Sequence, residues 1–174
     1  MKLITACITL MLLLQPMTST VVFAKNKTVN VNIINVKGEQ IGTAVLTQNG
    51  EQVKIHVQAN QLTPGTHAIH IHETGKCDPP EFKTAGAHFN PSEKQHGFNN
   101  PKGFHSGDLP NIEVNEDGSV NVEIITAAVT LEKKKPNSLL KKGGTSLIFH
   151  EKADDYITDP AGNSGARIAC GIIK

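Results

Sequence analysis

The chain has no tryptophan, one tyrosine and an aromatic fraction of 4%. Its core must therefore pack branched aliphatic side chains more than large rings. Neither sign of charge is in excess: 17 basic residues face 16 acidic ones, for a formal net charge of +1. That balance gives no electrostatic footprint for nucleic acid. No stretch carries a convincing helical apolar period. The uncharged N-terminal run, residues 3–14, falls short of the ~20 residues that a membrane-spanning helix needs. What remains is a 174-residue chain, 38% hydrophobic and 19% charged, of a size that suits one domain and a composition that argues against disorder. It holds 15 glycines, nine prolines, eight histidines and an odd three cysteines.

Residues 1–24 read as a secretory signal. Lys2 supplies the positive start, the uncharged run follows, Gln15 and Pro16 end it, and Val22-Phe23-Ala24 offers small residues at a cleavage site. An uncleaved N-terminal anchor is the alternative. Cleavage would leave a mature domain over residues 25–174, with no stable membrane insertion. It would remove Lys2, leaving 16 basic residues against 16 acidic ones, and Cys7, leaving Cys77 and Cys170. In an oxidising compartment an even pair favours a disulfide; two free buried thiols are the other reading. The expected location is secreted or extracytoplasmic, with association with the cell envelope left open.

Alternating apolar residues separated by Gly, Asn and Asp turns predict eight short strands. They cover residues 29–36, 41–46, 53–57, 65–72, 112–114, 120–125, 145–150 and 167–173. This is an all-β chain, an antiparallel barrel or sandwich. Two connections break the rhythm, residues 73–111 and 151–166. Structureless loops of more than about 15 residues are usually functional or disordered. The first holds Phe82, Phe89, Phe98 and Phe104 together with Cys77 and three histidines, which predicts a cross-linked loop with a small core of its own.

His70 and His72 lie two apart on a strand and share a face, whereas His67 points the other way. The loop adds His88, His96, His105 and Asp108, spaced H-x7-H-x8-H-x2-D. Three neutral nitrogens and one anionic oxygen suit a closed tetrahedral zinc site, structural because no position stays open. His150 ends a late strand and, with His70 and His72, makes an imidazole-rich set suited to copper. His67 reads as a structural histidine and His56 as a surface one. Lys133, Lys134, Lys135, Lys141 and Lys142 form a basic loop, either plainly solvated or able to meet a polyanion.

Five runs in order resemble the copper/zinc superoxide dismutase family in its secreted, bacterial-type form. They are Gly65-Thr66-His67-Ala68-Ile69-His70-Ile71-His72-Glu73, Gly86-Ala87-His88-Phe89-Asn90-Pro91 and His105-Ser106-Gly107-Asp108-Leu109-Pro110-Asn111. The other two are His150-Glu151-Lys152-Ala153-Asp154-Asp155 and Gly162-Asn163-Ser164-Gly165-Ala166-Arg167-Ile168-Ala169-Cys170-Gly171. The similarity spans residues 28–174. It implies an eight-stranded antiparallel Greek-key barrel, of the immunoglobulin-like sandwich class, with two long functional loops.

The resemblance further implies one copper per chain on His70, His72, His88 and His150. It implies one zinc per chain on His88, His96, His105 and Asp108, with His88 bridging the two. Asp154 would accept hydrogen bonds from His70 and His96. Cys77 and Cys170 would form the intrasubunit disulfide, and Arg167 would stand beside the open copper position. The implied reaction is superoxide dismutation, with His88 and Arg167 acting on the substrate. Monomer and homodimer both stay open. One departure concerns the second loop: Tyr156-Ile157-Thr158-Asp159-Pro160-Ala161 lacks the charged cluster of eukaryotic relatives and has Ala161 where they often have threonine. The rival reading is a superoxide-dismutase-like metal-binding or structural protein that is not copper-loaded in its compartment. A zinc hydrolase is a third, which would need an open zinc position.

Overall fold

The computed structural model describes residues 26–174; the expected signal segment, residues 1–24, lies outside them. Strand β1 (Thr28–Asn35) buries Val29, Val31 and Ile33 and exposes the residues between. The Asn35 side chain then accepts the backbone N–H of Lys37 and of Glu39. This side-chain turn, with Gly38 at φ 80°, reverses the chain into β2 (Gln40–Asn49). A two-residue turn at Gly50 and Glu51 leads to β3 (Gln52–Ala59), in register from Gly42↔Ala59 to Asn49↔Gln52. Then come β4 (Gly65–His67), β5 (Ile69–His72), β6 (Ile112–Val114), β7 (Val120–Thr126), β8 (Thr145–His150) and β9 (Arg167–Ile173).

Every named pairing is antiparallel. One sheet runs β5-β8-β9-β1-β2-β3-β7 and a second pairs β4 with β6. Among the described residues the only helix is one short 3-10 turn, Lys83–Ala85. The all-β antiparallel architecture is thus as the sequence reads. The stretch 65–72 is divided, however, because its partner changes at Ala68. There the backbone N–H donates to Lys152 and the carbonyl accepts from His150, so the chain leaves β6 and joins β8. A period-2 pattern records which face is apolar, not which neighbour the strand bonds to.

The interior is aliphatic, as the missing aromatics require. Ile33, Leu46, Ile55, Ile69, Ile71, Leu147 and Phe149 are fully buried in one cluster. Ile69 and Ile71 face this core, so His70 and His72 face outward, beneath the long loops. A smaller cluster lies on the other face of the sheet, where Cys77, Phe82, Ala85, Ile148 and Cys170 pack together. Of the four loop phenylalanines, Phe82 belongs to that cluster and Phe89 to the main core. Phe98 and Phe104 are instead exposed, at 40% and 41%, with ring centroids 4.9 Å apart. The loop is held by polar cross-links, so these two rings are not needed to close it.

Cys77 and Cys170 form a disulfide across 93 residues of sequence, tying the loop to β9. Cross-linking so long a loop restricts the unfolded chain, which is worth about 4–5 kcal/mol by loop-closure entropy. Cys77→Ser is expected to lower unfolding free energy by about that amount in a urea titration. Reduction of the parent protein should reproduce the loss, and a variant as stable as the oxidised parent would contradict the assignment.

Candidate metal centre

The backbone brings the loop to the strand before any side chain acts. Ile71 N–H donates to Gly107, Phe89 N–H to Ile71, and Gly107 N–H to Phe89. Two loop segments are therefore laid along the exposed edge of β5, with His72 opposite His88 and His70 opposite Asp108. Gly107 permits this approach, because a Cβ there would collide with the Ile71 carbonyl.

Two groups of potential ligand atoms result, each with its atoms within 4.8 Å of one another: His70, His72, His88, His150 and His88, His96, His105, Asp108. A third set, His70, His96 and Asp154, links them. All are buried. In the first group the outer nitrogen of three rings explains the inner one. His72 Nδ1 lies 2.9 Å from the Gly86 carbonyl, His70 Nε2 lies 2.7 Å from Asp154 Oδ2, and His150 Nδ1 lies 3.3 Å from the Gly165 carbonyl. Carbonyl and carboxylate oxygens only accept, so these nitrogens carry the proton. The opposite nitrogens are then bare lone pairs. His70 Nδ1, His72 Nε2, His88 Nε2 and His150 Nε2 are buried and have no hydrogen-bond partner among the described residues. Four converging lone pairs with nothing to accept them are costly unless a cation sits among them.

The second group makes the same case by crowding. Asp108 Oδ1 lies 2.9 Å from His88 Nδ1, 3.1 Å from His96 Nδ1 and 3.3 Å from His105 Nδ1. His88 Nδ1 and His105 Nδ1 are 3.4 Å apart, too long for a good hydrogen bond. Tetrahedral zinc with bonds of 2.0–2.1 Å has ligand–ligand edges of about 3.3–3.4 Å, close to this spacing. The other oxygen, Asp108 Oδ2, accepts the backbone N–H groups of Gly97 and His105 at 3.0 Å. His88 alone belongs to both groups, through opposite ring nitrogens.

Charge follows burial. Burial takes His88 down to about 4 and His150 down to about 3, and it also lowers His70 and His72; these rings are neutral ligands at neutral pH. Burial works against the charge of His96 too, but its bonds to Asp108 and Asp154 outweigh it and raise the ring to about 9. A cation at its Nδ1 would take the place of a proton. Asp108 and Asp154 resist burial through their histidine bonds and stay well below the usual carboxylate range.

The outer support is equally specific. Asp154 Oδ1 lies 3.0 Å from His96 Nε2, so one carboxylate orients a ring in each group. Asn111 and the Asp154 backbone exchange two hydrogen bonds of 2.9 Å, and Asn111 N–H donates to the Tyr156 hydroxyl. Gly162, at φ 60°, must lack a side chain, because a Cβ would strike the Asp154 carboxylate. Arg167 donates from Nη1 to the Phe82 carbonyl and from Nη2 to the Gly86 carbonyl. It is therefore held by the loop that the disulfide anchors. His67, expected to point away, bonds through its two nitrogens with the carbonyls of His150 and Thr63 at 2.8 Å.

The structure brings His70, His72, His88, His96, His105, Asp108, His150 and Asp154 together, and holds Arg167 through the Gly86 carbonyl that also orients His72. Sequence reasoning did not single out Asn111, Tyr156, Gly162 or Ser164 individually. Asn111, Gly162 and Ser164 lie inside runs that carry the family resemblance, and Tyr156 opens the departing loop segment, so their neighbourhoods are marked although their contacts are not.

Known proteins match this arrangement over most of its length. The family described as "Copper/zinc superoxide dismutase (SODC)" matches residues 40–173. "Superoxide dismutase [Cu-Zn] 1" of Aquifex aeolicus is 54% identical over 144 residues, covering 82% of this chain and 85% of that protein. The "Superoxide dismutase-like protein YojM" of Bacillus subtilis is 44% identical over 146 residues, 83% of this chain and 74% of the other. Among solved structures, a SOD-like protein from Bacillus subtilis aligns with a TM-score of 0.78 and 46% identity, over 83% of this chain and 97% of that one. A Cu/Zn superoxide dismutase from Brucella abortus aligns with a TM-score of 0.70 and 30% identity, over 85% and 100%.

Proposed function

This chain belongs to the copper/zinc superoxide dismutase family, and from that premise we propose which of its residues carry the dismutation of superoxide to oxygen and hydrogen peroxide. The observation that carries the reading is the set of four unpartnered nitrogens beside a carboxylate-centred histidine cluster. His70 Nδ1, His72 Nε2, His88 Nε2 and His150 Nε2 would hold copper. His88 Nδ1, His96 Nδ1, His105 Nδ1 and Asp108 would hold zinc. When bound, copper supplies the one-electron oxidation of one superoxide and reduction of the next, which redox-inert zinc cannot do.

The protein's own part is positional and protic. Arg167 keeps its guanidinium in place on two carbonyls and offers its remaining N–H groups to a small anion. His88 Nε2, in the half-cycle in which it would not be on copper, would be the atom to hold a proton and release it to the peroxide, as a positioned general acid. The ring would be kept in place from its other nitrogen, Nδ1, by the zinc shared with Asp108. The two half-reactions together consume two superoxide anions and two protons, and give one oxygen and one hydrogen peroxide.

The complete histidine set argues against the rival, a family member that takes no copper. Copper and zinc content per chain, together with superoxide removal before and after copper loading, tests the reading. One copper, one zinc and activity are expected; a zinc-only protein that stays inactive after loading would overturn it.

A location outside the cytoplasm is supported by the disulfide, which persists in oxidising compartments, and by the expected signal in residues 1–24. No helix of the described residues is long and apolar enough to cross a membrane. Contact with a linear polyanion through the basic loop has one supporting feature. Lys133 and Lys141 share a surface cleft with Lys27 and Lys174, and among the described residues no acidic side chain lines it. Replacing Lys133 and Lys141 by glutamine should lower the salt concentration that elutes the protein from immobilised heparin. Unchanged elution would leave Lys133, Lys134, Lys135, Lys141 and Lys142 a solvated loop.

A further inference from the structure

We propose that Ser164 is a positioning residue for His150, acting through a hydroxyl outside the ligand set. The inference rests on the assignment of His150 Nε2 to copper.

Ser164 is 1% exposed, and its Oγ lies 3.1 Å from His150 Nδ1. The Gly165 carbonyl lies 3.3 Å from the same nitrogen. Because that carbonyl can only accept, His150 Nδ1 carries the proton, and Ser164 Oγ is its second acceptor. The two oxygens are not equivalent. The other rings are tethered at 2.7 Å (His70) and 2.9 Å (His72). The contact from His150 to Gly165 is longer than the usual 2.7–3.2 Å for an N–H donor. The serine hydroxyl is the closer partner, and at 3.1 Å it gives His150 one contact inside that range.

The hydroxyl is fixed from behind. Ser164 N–H donates to Ala161 at 3.2 Å, and its carbonyl accepts from Lys152 at 2.9 Å. Glu151 N–H donates to Ala166 at 2.8 Å. The loop neck is thereby laddered onto the two residues that follow His150. Positive φ at Gly162, Asn163 and Gly165 (60°, 53° and 79°) makes the tight reversal that turns Ser164 inward. An acceptor on Nδ1–H limits rotation of the ring and makes Nε2 a stronger donor. Ser164 thus sets the aim and basicity of the nitrogen that otherwise has the weakest tether.

The test compares the zinc-loaded parent with Ser164→Ala and Ser164→Thr. Each is titrated with copper(II) against a competing chelator, and its copper(II) electron paramagnetic resonance spectrum is recorded. Losing an outer partner of a metal ligand costs roughly 10–100-fold in affinity. With the Gly165 carbonyl retained, Ser164→Ala is expected to bind copper(II) about 10-fold more weakly, with altered hyperfine splitting. Zinc content and thermal midpoint should stay at the parent's values, and Ser164→Thr should restore affinity and spectrum. An alanine variant with the parent's affinity and spectrum overturns the proposal. So does one that loses zinc and thermal stability in step with copper, since the hydroxyl would then be general support. A folded threonine variant that behaves like alanine overturns it as well. A parent that takes no copper at these histidines overturns the ligand assignment itself, which is a separate and recognisable outcome.

Discussion

His150→Ala is expected to abolish superoxide removal, by well over the roughly 100-fold that loss of a mere outer partner can cost, while leaving zinc and the barrel intact. The separation follows from where the residue acts. Its ring belongs to the four-histidine group and not to the group around Asp108. Its backbone does the structural work: the N–H donates to Ala68 and the carbonyl accepts from His67. Alanine keeps both main-chain bonds. The vacated ring space lies next to the Ser164 hydroxyl and the Gly165 carbonyl, polar groups that water can satisfy. Zinc content, thermal midpoint and activity measured on one preparation check all three limbs. Activity retained with copper bound would show that His150 is not a copper ligand.

Asp108→Asn is expected to have the largest effect on the zinc side. The amide has almost the shape of the carboxylate, so packing is preserved and only charge and donor pattern change. Oδ1 stands among three imidazole nitrogens, and Oδ2 accepts two backbone N–H groups. An amide must place its NH2 on one of these sides, where it meets donors or a cation instead of accepting. The site also loses its one anionic ligand. Zinc affinity should fall by more than 100-fold, and removing one partner from a buried charged cluster should cost about 3–5 kcal/mol of stability. Metal analysis after dialysis and a urea titration with and without added zinc measure the two effects. A variant that keeps stoichiometric zinc through dialysis would contradict the assignment. Because His88 serves both groups, copper binding should weaken as well, but less than zinc binding.

Much of this centre is legible along the chain, for a local reason. A strand sends alternate side chains to opposite faces, so His70 and His72 share one side and Ile69 and Ile71 the other by spacing alone. The set His88, His96, His105 and Asp108 is legible because zinc is particular about donor type and number. The missing aromatics were informative too, since the interior that formed is aliphatic. Other features could not be read this way. Phe98 and Phe104 look like core residues in a sequence, yet they pair at the surface with tilted rings, because Asp108 and the backbone bonds of Gly107 already hold the loop. The division of residues 65–72 depends on Ala68 exchanging hydrogen bonds with residues more than eighty positions away, and alternation carries no trace of that.

The chain by itself determined an all-β fold, the inventory of donor atoms and their grouping into two chemistries, because these follow from periodicity and residue type. Only the tertiary structure decided which ring nitrogen faces inward, since that depends on an acceptor supplied from elsewhere: the Gly86 carbonyl for His72, Asp154 for His70, and Gly165 with Ser164 for His150. It also shows Asp154 reaching both histidine groups, which the family resemblance implies but no spacing does, and it alone shows that Gly162 must make room for it. Such choices depend on hydrogen-bond geometry between residues far apart in sequence, which no local pattern encodes.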